Sequence, residues 1–72
     1  GLTQISIQLQ KTTDVSISVV DAMGNLVSNR RYNDMNGNNV YPVDATDLAS
    51  GVYYIRISTG DSFATKKIIV AK

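Results

Sequence analysis

Hydrophobic and polar residues alternate with a period of two along most of the chain. Ile5, Ile7 and Leu9 fall on one face of the first segment and Ser6 and Gln8 on the other, as in a half-buried β-strand, whose successive side chains point to opposite sides of the pleat. Val15, Ile17 and Val19 alternate with Ser16 and Ser18 in the same way. Asp21-Ala22-Met23-Gly24-Asn25 follows as a turn, with Gly24 available for a positive φ, so this part of the chain predicts a hairpin. The third segment, Leu26 to Tyr32, interrupts the pattern: Leu26 and Val27 point to opposite faces, and Arg30-Arg31 put a charge on each. A bulge or an edge position accounts for that.

Asn33 to Asn39 is a polar cluster around Asn36-Gly37 and reads as a turn. Val40 to Val43 is then a brief strand holding the chain's one proline, Pro42; proline donates no ladder hydrogen bond, so an edge position is expected. Asp44 to Ser50 crosses over, and Gly51 opens the clearest strand, with Tyr53, Ile55 and Ile57 facing inward and Tyr54, Arg56 and Ser58 outward. Thr59-Gly60-Asp61-Ser62 turns the chain, Gly60 being expected at positive φ, and a last strand runs from Phe63 to about Val70. No 3.6-residue stripe, repeat or linker is present. The pattern predicts one all-β domain over 1–72, an immunoglobulin-like Greek-key sandwich of about seven short strands. Within it, Leu48-x-x-Gly51-x-Tyr53 has the form of a tyrosine corner, in which a phenol at the start of a strand bonds to backbone of the preceding crossover while Leu48 caps the core.

Size and charge narrow the function classes. A chain of 72 residues buries only ~60% of the surface it would expose unfolded, which favours a binding or addressing module over an enzyme with a deep cleft. With 43% hydrophobic and 18% charged residues it has the material for a core. Seven basic against six acidic residues leave a net charge of +1, too small a field to hold a phosphate backbone, so no nucleic-acid partner is expected. No apolar run approaches the ~20 residues of a membrane-spanning helix. The N-terminus, Gly1-Leu2-Thr3-Gln4, lacks the charged region, apolar region and cleavage site of a secretory leader and runs straight into a strand, so either this piece is cut from a longer protein or it is never exported by that route.

The side chains argue against catalysis. There is no His and no Cys, so the common nucleophile-base pairs, transition-metal ligands and disulfides are missing, and no cofactor is expected. Ser62 with Lys66 or Lys67 forms a nominal dyad, but on a strand surface these are ordinary solvated groups. All six carboxylates are aspartates at predicted turns or strand ends, where a short acid bonds nearby amides. Asp34-Met35-Asn36-Gly37 matches part of a calcium loop, yet Tyr32 and Val43 occupy the positions where its first and last carboxylates belong. Among the aromatic residues, Tyr53 and Phe63 are assigned to the core, while Tyr32, Tyr41 and Tyr54 are expected partly exposed, where they could stack on a sugar. Lys66-Lys67 on a terminal strand reads first as edge protection.

Four pieces in order carry a further likeness: Val15 to Asp21 leading into Met23-Gly24-Asn25-Leu26-Val27; Asp44 with Leu48-Ala49-Ser50-Gly51-Val52-Tyr53; the Gly60 turn; and the closing Thr65-Lys66-Lys67-Ile68-Ile69-Val70. Together they cover nearly the whole chain, which resembles the type A C-terminal sorting domain of the type IX secretion system of Bacteroidota. Members usually start with a Tyr-Pro-Asn-Pro-like lead-in before the first strand, and this chain starts just after where it would lie, so the resemblance implies a domain trimmed at its N-terminal boundary. The resemblance implies a non-catalytic address joined to an N-terminal cargo. Such a cargo passes the periplasm in transit, engages an outer-membrane translocon and a sortase, and ends on the outer-membrane surface or outside the cell. It further implies that Gly51 and Tyr53 shape the crossover and that Lys66, Lys67, Ile68, Ile69 and Val70 form the recognised strand. The same sandwich also suits a glycan-binding or spacer module beside an exported hydrolase.

Overall fold

The computed structural model describes residues 2–60 and 62–71, with Leu2 described by its backbone alone. Asp61, expected in the last turn, and Lys72 lie outside the described residues. The described residues form four strands, β1 (Leu2–Asp21), β2 (Leu26–Asp44), β3 (Gly51–Ser58) and β4 (Phe63–Val70), with no helix. They make one antiparallel sheet in the order β2-β1-β3-β4.

The alternating segments therefore lie where expected, but not as seven short strands. The first two are joined into β1 and the next two into β2, which keeps pairing with β1 at Met35 and from Gly37 to Asn39, inside the cluster expected to be a turn. Gly37, Asn38 and Asn39 face Leu9, Gln8 and Ile7, so the Asn-rich cluster is strand rather than loop. Its turn chemistry survives as local kinks at Asp34 (φ 57°) and Gly37 (φ 68°).

A straight 20-residue strand would be about 66 Å long, whereas the longest dimension of the molecule is 37 Å. The β1–β2 ribbon must bend, and the register shifts between Leu9 and Val15 mark where. The bend brings Ile5, Tyr41 and Val43 from one end of the ribbon into a single buried cluster with Val15, Ile17 and Val19 from the other end and with Tyr53 and Ile55 of β3. Side chains hold it in place. Asp14 accepts hydrogen bonds from Arg31 Nη2 (2.9 Å) and from the backbone N–H of Asp34 (3.1 Å), tying the kink of β1 to that of β2.

Several other expectations hold. Both β2 and β4 are edge strands, as Pro42, Arg30-Arg31 and Lys66-Lys67 suggest, and Val27 is the extra residue of a bulge between the pairs Val19–Ser28 and Val20–Leu26. The β1–β2 turn is built on Asp21. Its Oδ1 accepts the N–H groups of Met23 and Asn25 at 2.9 Å each, while Gly24 takes φ 89°, a conformation costly for a residue with a Cβ.

Candidate functional site

The crossover between β2 and β3 forms as its spacing predicts. Tyr53 is buried, and its hydroxyl donates to the carbonyl of Ala49 at 2.7 Å. Leu48 packs against the core cluster, and its N–H donates to the carbonyl of Ala45 at 3.1 Å. Asp44 starts the crossover by accepting the N–H of Thr46 (2.9 Å) and its hydroxyl. These bonds, led by the Thr46 hydroxyl, hold the Asp44 carboxyl below its ordinary pKa. Gly51, where β3 begins, takes φ 158°, a backbone conformation that residues with a Cβ rarely adopt.

From that anchor the terminal hairpin runs outward. Tyr53 pairs with Ile68 and Ile55 with Lys66 on the core face, whereas Val52 pairs with Ile69 and Tyr54 with Lys67 on the other. The five residues of the expected strand are thus divided between two faces: Ile68 and Val70 are half-buried against the core, Lys66 is exposed at the rim, and Lys67 and Ile69 stand out on the far face. Ile69 is 71% exposed, an unusual placement for isoleucine.

The pairing register adds neighbours that alternation alone does not specify. Leu26, Val20, Tyr54 and Lys67 form one row across all four strands, so the outer face at this end carries Leu26, Val20, Tyr54, Val52 and Ile69 beside Lys67. Leu26 is 64% exposed, while Val20 is buried without belonging to the core cluster. Alternation marks Tyr54 as outward-facing, but only strand order and register place these side chains side by side.

A family model described as the secretion system C-terminal sorting domain matches residues 2–71. The chain belongs to that family. It is a sorting signal for type IX secretion, a non-catalytic role that implies recognition by the secretion machinery, attachment to a cargo and export to the cell surface or the medium. No curated protein and no solved structure is detectably similar to it.

Two aromatic assignments in the sorting domain are corrected. Phe63, expected in the core, is 81% exposed, because it pairs with Ser58 and so belongs to the outer face. Tyr41, expected partly exposed, is 2% exposed, because the fold-back of the ribbon turns Tyr41 and Val43 onto the core. There its ring lies 4.7 Å from that of Tyr32, tilted by 53°. The tyrosines are therefore spent largely on packing and present no flat row for stacking on a sugar.

Gly60 also has a different role from the one expected. Its φ is not in the positive region; instead a Cβ there would lie 2.7 Å from Thr13 Oγ1, the atom that accepts the Gly60 N–H at 2.9 Å. The glycine lets the β3–β4 turn, bridged by Thr59 N–H to Ser62 O at 2.8 Å, lie against the bend of β1. As for calcium, the N–H of Asp34 is bound to Asp14 and the carbonyl of Asn36 accepts from Asn39, and among the described residues no three acidic side chains converge. Among those residues, too, no helix is long and apolar enough to cross a membrane.

Proposed function

We propose that this domain carries an N-terminal cargo from the periplasm to the outer-membrane translocon, where a sortase can process it, and that the outer face of the β3–β4 hairpin is the surface recognised. The family match over residues 2–71 supports the route. The choice of surface rests on Ile69, exposed beside Lys67 and next to Val52 and Tyr54. An exposed isoleucine in an apolar patch rimmed by a cation suits a docking contact better than it suits solvent. In this reading Lys67 and Ile69 make contact, whereas Ile68 and Val70 hold the strand in place. The folded-back ribbon packed on the β3–β4 half is read as a small, immunoglobulin-like sandwich spanning the chain as one domain.

The test is secretion of a periplasmic reporter fused ahead of the domain in a type IX-competent bacterium. The intact domain is compared with Lys67→Glu, with Ile69→Asp and with a deletion of Ile68 to Lys72 whose folding is checked separately. The expected outcome is export by the intact tail and retention with Lys67→Glu and Ile69→Asp. A reporter that stays periplasmic behind the intact domain refutes the route. Export unaffected by either point change refutes the surface.

A further inference from the structure

Among the described residues the sheet has three free edges, and they are not alike. The free edge of β4 carries Lys66 and Lys67, and that of β2 carries Arg30, Arg31 and Pro42. Charges and proline are the usual means of keeping an open edge from pairing with another chain. The third edge belongs to β1. Along Leu2–Leu9 it pairs only with β2, because its pairing with β3 begins at Ser16. From Thr3 to Gln10 this edge has no charged residue and no proline, and Lys11 follows only at the bend.

This unguarded edge also borders a cleft. A cavity of about 430 Å³ is lined by the consecutive residues Ser6 to Lys11 on one side and by Ile57, Phe63 and Ala64 on the other. Consecutive residues of both parities line it, so the edge of the strand, and not just one face, borders the space. Ile7, Leu9 and Ile57 pack on the core cluster but are only half-buried. The inward apolar rows thus run on past the point where the protein covers them. Along Ser6 to Gln10, about 16 Å of strand, alternate residues direct their N–H and C=O groups outward with no strand to meet them among the described residues.

We propose that this cleft binds an extended strand of a partner protein in trans. The strand would be uncharged over about five residues and apolar at every second one. It would hydrogen-bond along the β1 edge from Ser6 to Gln10, widening the two-stranded part of the ribbon to three, and place its apolar side chains over Ile7, Leu9, Ile57 and Ala64. Backbone bonds supply the affinity and alternate side chains the selectivity, as in strand addition generally. The outer face of β3 and β4 is a separate surface, so this site can fail without affecting the secretion result, and the reverse.

The test uses the 72-residue chain and four acetylated, fluorescein-labelled heptapeptides with Thr at odd positions and Val, Ile, Leu or Phe at even ones. Binding is read by anisotropy. Each peptide is paired with a copy N-methylated at alternate amides, which keeps the side chains but blocks one edge. At least one peptide should bind and lose tenfold or more on methylation. Ala64→Glu, an exposed position whose folding is checked by circular dichroism, should weaken binding by a similar factor. Bound peptide should slow amide exchange in Ser6 to Gln10 and leave Lys66 to Val70 of β4 unchanged. No binding at millimolar peptide, binding indifferent to methylation, or protection confined to β4 would each overturn the proposal. So would sedimentation showing that the chain alone dimerises through this edge, since a second copy would then be the occupant.

Discussion

Removing a single oxygen from Tyr53 tests the anchor of the terminal hairpin. In Tyr53→Phe the ring keeps its place, 8% exposed against the core, and only the 2.7 Å bond to the Ala49 carbonyl disappears. Ala49 is exposed, so its carbonyl can turn to water and the penalty for a stranded acceptor does not arise. The loss is then the net value of one hydrogen bond, about 1 kcal/mol. A domain this small has a urea dependence of roughly 1 kcal/mol per molar, so the midpoint should fall by about 1 M, with a drop in Tm of about 4–8 °C. Urea titration followed by circular dichroism measures the first and a thermal scan the second. Tyr54→Phe is the control, since its ring lies on the outer face and its change should stay within about 0.5 kcal/mol. Equal midpoints for wild type and Tyr53→Phe, or an equal drop in both variants, would refute the corner as the anchor.

Three further outcomes are expected. Gly60→Ala should destabilise by about 1–3 kcal/mol through overpacking, and most of that cost should vanish in a Thr13→Ala background, because the clash is with Thr13 Oγ1; additive losses in the double mutant would refute it. The Tyr41 hydroxyl is buried with no hydrogen-bond partner among the described residues, and burial raises its pKa. Tyr41→Phe should therefore raise stability by about 1 kcal/mol, and a lowered urea midpoint would contradict this. The carboxyls of Asp14, held down chiefly by Arg31, of Asp21, by the Asn25 N–H, and of Asp44, by Thr46, all lie below their ordinary pKa. Groups lowered on folding stabilise above the unfolded pKa, about 3.9, and lose that contribution as pH falls through their folded values. The urea midpoint should accordingly fall below about pH 4, less steeply in Asp14→Asn; a midpoint flat from pH 5 to 2.5 would refute these bonds.

Much of the domain is determined by the sequence alone, and the parts that are share a physical cause. Alternation places Val15, Ile17, Val19, Tyr53 and Ile55 on the core face because a pleated strand has only two sides. Likewise the Leu48-Gly51-Tyr53 spacing builds the corner because every bond in it is local, spanning four residues from Ala49 to Tyr53. Pro42 and the paired arginines and lysines mark edges because they limit what can pair beside them.

What the tertiary structure decided depends on contacts far apart in the chain. Asn33 to Asn39 has the composition of a loop, yet pairing with β1 holds it in a strand, since a ribbon that keeps its ladder through a kink satisfies more backbone groups than one that opens. The fold-back of that ribbon buried Tyr41, and register put Phe63 outside; neither follows from the residues beside them. Gly60 reads as a turn glycine in sequence, but its constraint comes from Thr13, 47 residues away. The outer-face row of Leu26, Val20, Tyr54 and Lys67, and the cleft along Ser6 to Gln10, exist only because β1 is shared between β2 and β3 from Ser16 to Asp21 and pairs with β2 alone before that. Periodicity tells each side chain which way to face, but strand order and register choose its neighbours, and surfaces for partners are made of neighbours.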